Sequence, residues 1–150
     1  MAPGDFYFVI VVSDGKTSSE LRIPSSGNYP LSDGQTVSIN AVCFSTSRVG
    51  DYLHVVVAGF EEDSGICYGN YVMAAAGVLA DSYLTSGMAI GISGLLSLAE
   101  QFRGDEGFWC DKDDFAGGCE RTWYASQNWG AGSYQLADQY MRFWLTIEQY

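Results

Sequence analysis

The stretch Leu53-His54-Val55-Val56-Val57-Ala58-Gly59-Phe60, running straight into Glu61-Glu62-Asp63, decides how this chain is read. It is short, β-branched and apolar on both faces apart from His54, the pattern of a strand buried at the centre of a sheet. Phe6-Tyr-Phe-Val-Ile-Val-Val12 reads the same way and is closed by the turn signal Ser13-Asp14-Gly15. Glu20-Leu-Arg-Ile23 is a short strand stopped by Pro24. After the turn Ser32-Asp33-Gly34, Thr36 to Phe44 alternates, with Val37, Ile39, Ala41 and Cys43 on one side and Ser38 and Asn40 on the other. Tyr140 to Glu148 alternates too, placing Met141, Phe143, Leu145 and Ile147 inward and Arg142, Thr146 and Glu148 outward. Short strands parted by turn signals predict a mainly β chain folded as an antiparallel β-sandwich.

The middle breaks this rhythm. From Tyr71 to Ala99 the only charge is Asp81, and Met88, Ile92, Leu95, Ala99 and Phe102 fall on one helical stripe. Thr85-Ser86-Gly87 reads as a break between two helices and Gly104 as a stop. The expectation is a single domain over residues 1–150 carrying an apolar helical hairpin inserted at residues 69–103. Serine, threonine and glycine dilute the apolar run and no basic flank brackets it, so it is not read as a membrane span. Its glycines make it a poor isolated helix former, so it needs a packing partner. That partner is its own sheet or, through the small residues of Met73 to Leu98, another copy of the chain.

The charge narrows the partners. In 150 residues, 18 acids against 7 Lys and Arg leave a net charge of −11, which phosphate backbones repel, so a nucleic-acid partner is excluded. At 47% hydrophobic and 15% aromatic the chain buries too much surface to be disordered. Met1 to Phe6 carries one acid and no Lys or Arg, so it is not a signal-peptide n-region. Cys43, Cys67, Cys110 and Cys119 allow three pairings into two disulfides, among which the sequence does not choose. They contain no Cys-x-x-Cys pair for zinc. A bridge between Cys110 and Cys119 would pin the acidic loop they bracket, which favours an oxidising, extracellular or cell-surface location.

Two acidic clusters flank the predicted hairpin: Glu61-Glu62-Asp63, and Asp105-Glu106 followed by Asp111-Lys112-Asp113-Asp114. Crowded carboxylates repel one another, and a hard divalent cation with six to eight oxygen ligands removes that repulsion. The competing reading is a solvated acidic loop. With the insertion closed up, the strand ending at Glu61-Glu62-Asp63 and the run Asp113-Asp114-Phe115-Ala116-Gly117 resemble the strand, acidic loop and Asp-Asp-Phe-x-Gly turn of the calcium-binding β-sandwich domains of protein kinase C and synaptotagmin. The resemblance implies a Greek-key sandwich of the calcium-loop type. It implies Ca2+ bound by Asp63, Asp111 and Asp114, with Glu62 and Asp113 close by, and Asp14 in the position of the family's first calcium loop. An EF-hand is not the source, because Ala116 and Thr122 stand where that loop needs Gly and Glu.

Trp123, Trp129 and Tyr134, set among Asn and Gln, could stack on sugar rings as a lectin face does; otherwise they fill the core. Catalysis is not expected. His54 lies mid-strand, and the chain has no Gly-x-Ser-x-Gly and no Gly-rich phosphate loop. The expected function is therefore a calcium-binding structural or interaction module. It assembles with copies of itself into a homo-oligomer or filament, or else binds a glycan or lipid headgroup in a calcium-dependent way.

Overall fold

A computed structural model describes residues 4–39, 42–46, 50–63, 67–86 and 91–149. In chain order the elements are β1 (Gly4–Ser13), β2 (Ser18–Ile23), β3 (Tyr29–Leu31), β4 (Tyr52–Glu61), α1 (Cys67–Thr85), α2 (Ile92–Asp105), β5 (Asp114–Tyr124), a 3-10 turn (Ala125–Gly130), β6 (Gly132–Ala137) and β7 (Arg142–Ile147). The fold is mixed α/β. An antiparallel sheet runs β2-β1-β4-β5 with β3 also paired to β1, and β6 and β7 form a separate two-stranded sheet.

The apolar runs of β1 and β4 place them side by side inside the large sheet, in register from Phe6↔Glu61 to Ser13↔His54. Alternation sends Tyr7, Val9, Val11, Val56, Ala58 and Phe60 to one face. There they meet Tyr68, Val72, Ala75, Ala76, Leu79 and Tyr83 of α1 and Leu95 and Ala99 of α2. The expected helical stripe is thus used at Ile92, Leu95, Ala99 and Phe102; Met88 lies outside the described residues. The small residues let α1 lie close: a Cβ on Gly69 would stand 3.6 Å from the Tyr7 hydroxyl. The opposite face carries Val12, Val55, Val57 and Trp123, covered by Tyr134, Phe143, Leu145 and Ile147 of the β6–β7 hairpin.

Gly117 and Gly118 let β5 be approached from both sides. A Cβ on Gly118 would stand 2.9 Å from Ile92 Cδ1 of α2, while Gly117 (φ +140°) faces Asp138 and Met141 of the β6–β7 turn. At that turn the Asp138 carboxylate accepts the backbone N–H of Gly118 (2.8 Å), Tyr140 (2.8 Å) and Met141 (2.7 Å). Burial alone would raise the Asp138 carboxyl, but these donors outweigh it and hold it below the usual carboxylate range.

Two expectations are corrected. The expected antiparallel strands and helical hairpin are present, but the chain is mixed α/β and not mainly β, because the hairpin forms a layer of its own on one face of the large sheet; no closed sandwich is shown among the described residues. Nor do the described residues of Thr36–Phe44 form a strand. Ile39 is 38% and Val42 84% exposed, and Asn40 and Ala41 lie outside the described residues. Alternation alone supplied no partner edge there. The segment is held instead by Phe44 in the second core and by the Ser19 hydroxyl donating to the Cys43 carbonyl.

Replacing Asp138 by Ala orphans the Gly118 N–H and frees the hairpin turn, so urea denaturation is expected to show a loss of about 1–3 kcal/mol. Because the folded Asp138 carboxyl is depressed, its contribution is present above the unfolded value near about 4 and is lost as pH falls through the folded value. The stability difference between wild type and Asp138→Ala should therefore narrow in acid.

Candidate functional site

The β4–β5 ladder ends on Glu61↔Asp114. Two antiparallel strands that stop together deliver the residues just beyond them to one place. Glu62 and Asp63 leaving β4 and Asp111 to Asp113 entering β5 therefore emerge on a common rim. The helical hairpin departs from and returns to this rim, where the Cys67–Cys110 disulfide ties the start of α1 to the segment entering β5. Of the pairings the sequence leaves open, this is the one formed, and Cys110 is not bridged to Cys119; burial pushes the thiols of Cys43 and Cys119 up.

Asp113 is the buried member, 1% exposed. Its carboxylate accepts the Tyr7 hydroxyl at 2.7 Å and the Asp63 N–H at 3.2 Å. Burial pushes the Asp113 carboxyl up, those two donors pull it back, and the charges of Glu62 and Asp63 raise it again. Tyr7 stacks on Phe60 with centroids 5.4 Å apart and lies under the Arg22 guanidinium. Burial and then Asp113 raise its phenol, so it stays a donor. Asn28 Nδ2 donates to Glu62, whose own N–H donates to the Asp5 carbonyl at 2.8 Å. Asp63, Asp111 and Asp114 stand in solvent. Asp63 is pushed above the usual carboxylate range by desolvation, by the charges of Asp114 and Asp111, and by a hydrogen bond with Asp114.

The structure thus gathers Glu62, Asp63, Asp111, Asp113 and Asp114, and leaves Asp14 out. Asp14 follows the far end of β1, a ten-residue strand, so roughly 30 Å separates it from the rim. It is 1% exposed, and its Oδ1 closes a turn by accepting the Lys16 and Thr17 N–H groups at 2.9 and 2.6 Å. Trp123 is 2% exposed and packs on Tyr134 at 4.8 Å between centroids, while the Trp129 indole donates to the Gly50 carbonyl at 2.8 Å. These rings serve the core and a turn, with no open face for a sugar at Trp123. Tyr7 and Asn28 were invisible as site residues, since only strand register carries them to the rim.

Among the described residues, no three His, Cys, Asp or Glu side chains form a ready-made metal cage. His54 lies at the opposite end of β4, its Nδ1 2.7 Å from the Thr122 hydroxyl, and burial lowers it against the opposing pull of Glu120. No helix among the described residues is long and apolar enough to cross a membrane. No protein-family model matches the chain, and no curated protein or solved structure matches it significantly.

A carboxyl raised, as Asp63 is, by desolvation and then by neighbouring charges contributes stability that is fully present below its unfolded value and lost as pH rises through the folded one. At neutral pH the crowding therefore costs stability. Asp63→Asn is expected to raise the melting temperature in chelator, by on the order of 0.5 kcal/mol in stability at pH 7, with no gain at pH 3. The disulfide closes a loop with a sequence separation of 43, so Cys67→Ser with Cys110→Ser should cost about 2–4 kcal/mol in denaturant unfolding. Reductant should then have no further effect.

Proposed function

We propose that the chain is a calcium-dependent binding module, with the rim of Glu62, Asp63, Asp111 and Asp114 taking the ion. The observation that carries this reading is geometric: the β4–β5 ladder ends on Glu61↔Asp114, which brings Glu62 and Asp63 to the same rim as Asp111 and Asp114. Carboxylates in solvent can turn toward a common centre, and Ca2+ accepts irregular shells of oxygens that include backbone carbonyls and water. The donors are all hard oxygens, which suits Ca2+ better than zinc or copper. Asp113, already committed to Tyr7 and to the Asp63 N–H, acts as the post that holds the strand ends together. The finer reading of the fold, a calcium-loop sandwich with a helical insertion, draws support from the two-stranded sheet lying over the face opposite the helices.

The role proposed is binding: among the described residues the rim presents carboxylates, and His54 lies at the other end of β4. A cleft of ≈ 170 Å³ lined by Arg22, Gly69 and Met73 lies beside Tyr7, and another of ≈ 270 Å³ runs along Tyr29–Leu31. The disulfide suits an oxidising, extracellular setting. Self-assembly through the hairpin has less to rest on, because Ala75, Ala76 and Ala80 are spent against the chain's own sheet.

Thermal melting in excess calcium and then in chelator tests the proposal. Calcium at a hundred times its dissociation constant is expected to add about 2.7 kcal/mol, and Asp111→Asn with Asp114→Asn to abolish the difference. Superimposable wild-type melts would contradict it.

A further inference from the structure

We infer that the loop between α2 and β5 is a docking surface for a basic, arginine- or lysine-rich protein segment. Phe108 and Trp109 stand at its crest, 58% and 69% exposed. This is not a frayed loop. The Phe108 N–H donates to the Arg103 carbonyl at 3.0 Å, the Gly107 N–H to Gly104 at 2.9 Å, and Arg103 Nε to the Cys110 carbonyl at 2.6 Å. Cys110 is in turn bridged to Cys67. Two large rings are therefore fixed in water on a loop anchored at both ends, and adjacent exposed aromatics on a rigid support are the form that binding anchors take.

Charge selects the occupant. Asp105 and Glu106 precede the rings, Asp111 and Asp114 follow them, and all four are exposed. The loop's own cations are already engaged: Arg103 pairs with Glu100 at 3.0 Å and Lys112 with Glu100 at 3.3 Å. Arg103 also sits 5.1 Å from the Phe108 centroid, so one ring meets a cation from inside while Trp109 stays open outside. An indole between carboxylates attracts guanidinium and ammonium groups both through the ring and through the flanking charges. A net charge of −11 repels anionic partners over a longer range. This surface needs no metal, and since it shares Asp111 and Asp114 with the proposed calcium rim, calcium and a basic segment would compete.

The test is calorimetric titration of the full chain with a nona-arginine peptide, in chelator and at two salt concentrations. Saturable binding is expected. Trp109→Ala should weaken it roughly fivefold or more at unchanged melting temperature. Asp105→Asn with Glu106→Gln should weaken it and flatten its salt dependence, and Trp144→Ala, altering a distant exposed ring, should leave it unchanged. Equal affinity of wild type and Trp109→Ala would overturn the inference, because charge alone would then explain the binding. Trp109-dependent binding to phosphatidylcholine vesicles without peptide binding would also overturn it, as would a wild-type dimer in sedimentation that Trp109→Ala dissociates. Peptide binding in chelator together with calcium-insensitive melts would sink the calcium reading alone.

Discussion

Pairing of Tyr52–Glu61 with Asp114–Tyr124 is the constraint on which the rest of the molecule depends. These strands are remote in sequence, and a helical hairpin leaves the sheet at the end of one and rejoins it at the start of the other. Once they pair, the hairpin has one face on which to lie, and its alanines and Leu79, Leu95 and Tyr83 are buried there. The same pairing exposes Gly117 and Gly118 to a layer on each side. It also brings two acidic strand ends to one rim, whatever their mutual repulsion.

That repulsion is opposed by contacts of another kind. Tyr7 reaches Asp113 from β1, on the far side of β4, and the Asp63 N–H donates to the same carboxylate, so two elements of the rim share one buried acceptor. Charge-assisted bonds of this type are stronger than neutral ones. The Cys67–Cys110 bridge limits how far the hairpin base can separate from the strand ends. A cluster held by such contacts keeps its outer carboxylates close, Asp63 within hydrogen-bond reach of Asp114, which is the property the functional proposal uses.

Much of this was legible in the sequence. Unbroken apolar runs gave β1 and β4, alternation gave β7, and the four-three spacing of Ile92, Leu95, Ala99 and Phe102 gave α2. β5 was not seen as a strand because Gly117, Gly118, Glu120 and Arg121 break the apolar pattern; its place is set by the partner ladder. Thr36–Phe44 erred the other way, with an alternating pattern and no edge to join. The five rim acids were found from their crowding on either side of the insertion. Asp14 was added by the loop resemblance alone, and the sheet places it at the other end. The aromatic candidates Trp123, Trp129 and Tyr134 were read from composition, which does not tell a core ring from an open one, whereas Trp109 sits in a segment where only the acids drew notice.

The most direct measurement is an anomalous difference map from crystals grown in excess calcium, collected at a wavelength where calcium scatters anomalously. The account predicts a peak among the oxygens of Asp63, Asp111 and Asp114, at about 2.3–2.6 Å from the carboxylates. A map that shows only ordered water among those side chains would contradict it.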